Sequence, residues 1–210
     1  MYHFSFSTPI SMTNYGPPKN GRAPVPIDIR DIIFRLANPD AEGMVQTTRV
    51  ENEVATIYLT SAALAGFVPR VVLSMYAWGS ASTEPSQGWI IQELMAGTPL
   101  NKSLGAILPE ASQEIFAQMA KLLKALQDYI LPTSITGFGG VTFDGNGHIV
   151  STTMTSVGDG PWPTYEASFK GCLKVILRKA DANPYIKRWQ CQWCETASGC
   201  FCRAWFASTA

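Results

Sequence analysis

Apolar residues first cluster in a short run at Ile32, Ile33, Phe34 and Leu36, and Asn38-Pro39 ends it. A short apolar run of this kind predicts a strand over 28–38 with both faces at least partly covered. The spacing then changes. Val50, Val54, Ile57, Ser61 and Leu64 recur at intervals of three or four within "TTRVENEVATIYLTSAALAG" (47–66). That rhythm predicts a helix, which Gly66 can close. "PRVVLSMYAWG" (69–79) and "GWIIQELMAG" (88–97) read as two further strands, and the polar "SASTEPSQ" (80–87) between them fits a hairpin connection.

Beyond Gly97 the pattern becomes helical. Ile115, Phe116, Met119, Leu122, Leu123, Leu126 and Ile130 line one face of a helix predicted over 110–130, which Pro132 stops. This is the strongest periodic signal in the chain. "GGVTFDGNGHIVS" (139–151) predicts a small hairpin, because Asp144-Gly145-Asn146-Gly147 supplies residues that tolerate positive φ. A second amphipathic helix is expected over 164–181 through Phe169, Leu173, Ile176, Leu177 and Ala180. Thr164 is its expected N-cap and Asn183-Pro184 its stop. Residues 1–27 contain Pro9, Pro17, Pro18, Pro24 and Pro26 and no acidic residue. Proline removes backbone donors and disfavours helix before it, so this segment reads as a disordered, proline-rich arm. No internal repeat is visible.

The order of elements is strand, helix, strand, strand, then helices with one hairpin. The predicted class is α+β. A small sheet-and-helix lobe covers 28–97, a helical part covers 98–189, and a cysteine-rich tail expected to be unstructured covers 190–210.

Composition narrows the function classes. The 210 residues hold 16 Lys plus Arg and 16 Asp plus Glu, so net charge is zero and no basic excess points to nucleic acid. No stretch approaches the ~20 consecutive apolar residues of a membrane span. The N-terminus has neither a basic segment nor a continuous apolar one, so it does not read as a signal peptide. The expected compartment is the reducing cytoplasm, with cysteines as thiols. Histidine occurs only at His3 and His148.

One residue breaks the helical pattern. Glu53 lies three residues after Val50 and four before Ile57, on or beside the apolar stripe. A carboxylate there needs a cation if it is buried. Arg35, alternating with Phe34 and Leu36 on the preceding strand, can supply one. A strand cation facing a helix carboxylate is an arrangement that holds ATP phosphates in kinase-like folds. The alternative is a solvated Glu53 at the edge of the stripe, with Arg35 bound to water or to another carboxylate.

"IIFRLAN", "RVENEVATIYL", "VPRVVLSMYAWG" and "GWIIQELMAGTPL", followed by "QMAKLLKALQDY", "SITGFGGVTFDGNGHIVS" and "GPWPTYEASFKG", resemble the aminoglycoside phosphotransferase family in the form common in filamentous fungi. The likeness covers roughly residues 30–189 as a whole pattern. It implies a partial protein-kinase-like fold. The family transfers the γ-phosphate of ATP, with Mg²⁺, to a small-molecule hydroxyl. By the same resemblance Glu53 falls at the family's helix glutamate, and Arg35 falls where a phosphate-binding lysine usually stands. Arginine keeps the charge and replaces a point charge by a planar fork. "QELMAG" (92–97) matches the hinge between lobes, where the backbone near Glu93 and Met95 would bind an adenine.

The family also requires parts that are absent from this pattern. A glycine loop should precede the Arg35 strand, and residues 1–27 offer only Gly16 and Gly21. A catalytic H-x-D-x-x-x-x-N loop should supply the base, and neither His3 nor His148 begins one. A later aspartate should hold Mg²⁺, and none follows Asp181. The expectation is a chain truncated before the catalytic loop and inactive alone. A competing expectation is a non-catalytic, pseudokinase-like interaction module that self-associates through the surface such a lobe leaves open.

The tail "WQCQWCETASGCFCRAWFASTA" holds Cys191, Cys194, Cys200 and Cys202. Four thiolates can bind zinc, but these fall within twelve residues and C-x-C is tight for a tetrahedron. Without a surrounding βαβ pattern, a C-x-x-C redox site is disfavoured too. Unselected sequence, as from a shifted frame or a retained intron, is the favoured reading. Cys172 reads as a small buried hydrophobe. "DGNG" lacks the glutamate of a calcium loop, since Thr155 stands at its twelfth position. "GFGG" (137–140) precedes no helix and is no phosphate cradle.

Overall fold

A computed structural model describes residues 1–10, 20–40, 43–82, 87–97, 100 and 107–185. The described elements make an α+β fold. Strands β1 (Tyr2–Ile10), β2 (Ile29–Leu36), β3 (Met75–Gly79) and β4 (Trp89–Glu93) form an antiparallel sheet in the order β1-β2-β4-β3. Helix α1 (Gln46–Ala63) lies between β2 and β3 in sequence. Helix α2 (Pro109–Asp128), the hairpin β5 (Gly140–Phe143) and β6 (Ile149–Thr152), and helix α3 (Tyr165–Ala182) follow.

The core lies in two clusters, one on each face of the sheet. Val50 and Val54 of α1 pack with Met75, Trp78 and Ile90 on one face of the sheet. Ile29 and Ile32 pack with Tyr76 on the other, beside Phe6, Val25 and Ile91. Met75 and Trp78 are three residues apart yet share the α1 face. The register shift between Met75 and Ala77 allows this, because an extra residue in one strand resets the alternation.

The expectation of a disordered arm over 1–27 is corrected in its described parts. Tyr2–Ile10 forms β1, with Phe4 opposite Ile32 and Tyr2 opposite Phe34. Tyr2, Phe4 and Phe6 alternate with His3, Ser5 and Ser7, which is a period-two strand signal that the count of prolines outweighed. Pro9 is tolerated because β1 is an edge strand and pairing slips between Ser5 and Ile10. Residues 20–25 are also packed. Trp78 Nε1 donates to the Asn20 carbonyl at 2.9 Å and Ala23 N donates to the Met75 carbonyl at 2.7 Å. Gly21, at φ +76°, fits where a Cβ would come within 2.7 Å of the Val54 side chain.

The strands expected at 69–79 and 88–97 are shorter, beginning at Met75 and ending at Glu93. The helix expected to close at Gly66 is capped two residues earlier by Leu64, whose amide bonds the carbonyls of Thr60 and Ala62. Thr164 caps α3 as expected, its hydroxyl accepting from Ala167 N at 3.1 Å. The apolar stripe of α2 is present but uncovered: none of its residues is buried, and Phe116 is 63% exposed. Cys172 is half-buried, with its sulfur 3.9 Å from that of Met154.

Candidate functional site: a strand guanidinium held by a helix carboxylate

Arg35 lies on β2 opposite Ile90 of β4. That pairing turns it toward the α1 face, because Ile90 belongs to the core beneath α1. Glu53, one turn after Val50 on α1, meets it. Arg35 Nη1 donates to Glu53 Oε1 at 2.5 Å and Nη2 donates to Oε2 at 3.2 Å. The contact is two-pronged, the geometry that makes a guanidinium–carboxylate pair directional. Both side chains are 29% exposed, so the pair sits at the mouth of the core and not within it.

A third residue completes the arrangement. Gln92 Oε1 accepts from Arg35 Nη1 at 3.2 Å. Gln92 is buried and pairs with Ile33, so it shares the α1 face of the sheet. The Nη1 group is thereby committed to two acceptors. Arg35 keeps Nε–H and one Nη2 proton for a further ligand, counted against partners among the described residues. A shallow cleft, with room of about 20 Å³ for water-sized groups, adjoins the pair, lined by Arg35, Arg49 and Glu53 with Leu36, Ala37, Val50 and Ile90. Arg49 stands one helical turn before Glu53 and donates to the Asn38 carbonyl at 3.2 Å. Two guanidinium groups beside one carboxylate give the cleft a net positive lining, suited to an anion.

Glu93 and Met95 do not join this cluster. Glu93 pairs with Ile32 in the sheet, so its side chain is on the face opposite Arg35. There its two oxygens accept from Arg70 Nη2, each at 2.6 Å, and one accepts from Ser74 N at 2.9 Å. The Glu93 amide donates to the Ser74 carbonyl at 2.9 Å. This leaves the Glu93 carboxylate as a tie between β4 and the segment before β3. It also raises the Tyr76 phenol above its usual range: burial is the larger cause and the Glu93 charge the second. Met95 lies past the end of β4 and is exposed.

The groups present bear unequally on ATP and on a metal. The cleft offers guanidinium donors of the kind that hold phosphate oxygens, so Arg35, positioned by Glu53 and Gln92, fits a phosphate. Among the described residues no group of three His, Cys, Asp or Glu side chains is placed to hold a metal ion. Glu53, whose two oxygens are engaged by Arg35, is poorly suited to be a magnesium ligand. Gly16 and the four tail cysteines lie outside the described residues.

Gln92, Arg49 and Asn52 were missed by sequence reasoning. Gln92 was readable only as one letter of a hinge-like motif, since its facing Arg35 depends on the β2–β4 register. Arg49 carried a usable signal: it precedes Glu53 by four and so shares its helix face. Asn52 anchors α1 to the β5–β6 hairpin, a contact between distant parts of the chain that no local pattern announces.

Comparison with protein-family models, with curated proteins and with solved structures finds no match to this chain.

Proposed function

We propose that this chain carries the phosphate-anchoring part of a small-molecule kinase of the aminoglycoside phosphotransferase type, within a partial protein-kinase-like fold. The observation that carries the reading is the two-pronged Arg35–Glu53 pair, braced by Gln92 beside a cationic cleft. In this reading Arg35 binds phosphate oxygens of ATP, and Glu53 fixes the plane and direction of its fork. Backbone groups near Glu93 and Met95 bind the adenine, which asks nothing of their side chains. ATP brings the transferable phosphoryl group. The substrate would be a small molecule with a hydroxyl group, met in the cytoplasm. Among the described residues no group of three His, Cys, Asp or Glu side chains is placed to hold Mg²⁺.

Phosphate binding and phosphoryl transfer separate here. Transfer needs a base to accept the hydroxyl proton and a metal to neutralise the moving charge. The 210 residues contain no H-x-D-x-x-x-x-N sequence and no aspartate after Asp181. The chain alone is therefore a nucleotide-binding unit without turnover. The decisive experiment is calorimetric titration of the pure chain with a non-hydrolysable ATP analogue. The expected result is saturable binding that Arg35→Met abolishes, with no ADP formed from ATP. Unaltered binding by Arg35→Met would refute the assignment of Arg35, and ADP formation above a mock preparation would refute the assignment as inactive.

The second reading is a non-catalytic interaction module. The observation favouring it is the uncovered apolar stripe of α2, where Phe116, Met119, Leu123 and Leu126 are all exposed. It accounts for that stripe but gives no use to the charged pair, so it stands second.

A further inference from the structure

Helix α1 carries polar residues on two of its sides. One side presents Glu53 to the sheet. The other presents Glu51 and Asn52 to the β5–β6 hairpin, about ninety residues later in the chain. Val141 N donates to Asn52 Oδ1 at 3.3 Å, and Asn52 Nδ2 donates to the Thr153 carbonyl at 3.3 Å. A side-chain amide thus bridges the two edges of the hairpin, giving to one strand's end and receiving from the other. Thr142 Oγ1 donates to Glu51 Oε2 at 3.0 Å. The other oxygen of Glu51 accepts from Ser82 Oγ at 2.9 Å. Phe143 stacks on Trp78 with ring centres 6.2 Å apart and meets Tyr58 of α1 edge-on.

The approach is close by construction. A Cβ on Gly140 would come within 2.3 Å of the Asn52 amide and 2.5 Å of the Thr153 carbonyl. Glycine at 140 is what lets the helix amide reach both hairpin strands. Three consecutive helix residues are therefore each tied: Glu51 to the Thr142 and Ser82 hydroxyls, Asn52 to the hairpin backbone, Glu53 to the guanidinium. Successive helix positions are separated by about 100°, so rotating α1 to improve any one contact spoils the other two. Translation is checked as well, because Asn52 bonds both a donor within β5, at Val141, and an acceptor one residue past β6, at Thr153.

The geometry points to Asn52 as the positioning residue of the site. Its bridge to the hairpin sets the rotation of α1, and through it the aim of Glu53 at Arg35. The hairpin is then part of the phosphate-anchoring device although, among the described residues, no hydrogen bond or ion pair joins it to either member of the pair. This deepens the reading given under Proposed function and rests on it only for the purpose of the pair. The pair's geometry itself is independent of whether ATP is the ligand.

The test reads the guanidinium directly. In the ¹⁵N-labelled full chain, a two-pronged carboxylate restrains rotation of the Arg35 Nη groups, so their signals are separate in the cold. Asn52→Ala should merge them, while the indole signal of Trp89, on the far face, stays in place. Thr142→Val, which removes one tie and keeps the side-chain volume, should narrow their separation without merging it. A general loss of stability would lower the melting temperature but would not single out Arg35. Affinity for the ATP analogue should fall about tenfold in Asn52→Ala, the factor for one net hydrogen-bond worth of orientation. Unchanged, separate Arg35 signals in a folded Asn52→Ala chain would overturn the inference. Should Asn52→Ala fail to fold, Arg35 signals in Thr142→Val identical to the parent would overturn it equally. Loss of nucleotide binding with normal Arg35 dependence on Asn52 would instead sink the kinase reading and leave this one standing.

Discussion

Replacing Arg35 and Glu53 singly and together separates what the pair does for folding from what it does for binding. Each side chain keeps about a third of its exposure, at 29%. An exposed ion pair contributes about 0–1 kcal/mol, whereas removing one partner of a buried pair costs about 3–5 kcal/mol. A half-buried pair with two-pronged contact falls between, at about 1–3 kcal/mol for either Glu53→Leu or Arg35→Met. Glu53→Leu strands a guanidinium whose remaining acceptor in the cluster is Gln92. Arg35→Met strands a carboxylate next to Val50 and Ile90. The double replacement strands nothing and adds apolar surface that continues the α1 core, so it should return to within about 1 kcal/mol of the parent. For a chain of 210 residues each kcal/mol moves the melting temperature by about 2–4 °C. Thermal and urea unfolding of the four proteins gives the coupling energy, expected at about 1–3 kcal/mol. ATP-analogue binding should vanish in all three variants, including the stable one. A coupling near zero would mean that the contact contributes no orientation, and binding retained by the double variant would detach the site from the pair altogether.

Two further outcomes test the parts of the fold that the sequence hid. Asp31 holds β1 to β2 by accepting from the Ser5 hydroxyl and pairing with His3 Nε2 at 3.0 Å. The Ser5 hydrogen bond, then the His3 hydrogen bond, lowers the Asp31 carboxyl below its ordinary value of 3.8. A carboxyl depressed in the folded state stabilises it above the unfolded pKa and loses that effect as pH falls through the folded one. Unfolding midpoints measured from pH 6 down to pH 2 should therefore drop more steeply below about pH 4 in the parent than in Asp31→Asn, and parallel curves would refute the tie. Gly21→Ala should lower stability by about 1–3 kcal/mol in urea unfolding, because it puts a side chain at φ +76° and within 2.7 Å of Val54 Cγ1; a neutral result would mean that residues 20–25 do not pack on α1.

Much of the fold was legible where a single periodicity ran long enough. Both long helices of the second half are placed within two residues of their expected ends, and Thr164, a short oxygen-bearing side chain before a helical rhythm, caps as such residues do. The strands were harder. Proline count concealed the alternation of Tyr2, Phe4 and Phe6, since proline in an edge strand breaks a local rule that edge pairing excuses. The bulge at Tyr76 was invisible, because it is defined by a partner strand and not by its own residues. Periodicity also overstates burial. The α2 stripe shows that a face wants cover, and Phe116 and Leu123 remain 63% and 57% exposed.

The site itself was legible as two separate anomalies. Glu53 interrupts an apolar stripe between Val50 and Ile57, and Arg35 interrupts an apolar strand between Phe34 and Leu36. Each is unfavourable alone, since a charge at the mouth of a core loses hydration. The structure brings the two together at 2.5 Å, so each anomaly is the remedy for the other. Folding does not require that solution. A methionine and a leucine would fill the same space without desolvating any charge, and such exchanges are commonly neutral or stabilising. Charge at this place is therefore surplus to the core, and so is the second guanidinium of Arg49 beside it. Local rules broken without benefit to stability are where function is to be sought. An oriented guanidinium with donors to spare, open to a cleft on its free side, has the physical use that the phosphate-anchoring proposal gives it.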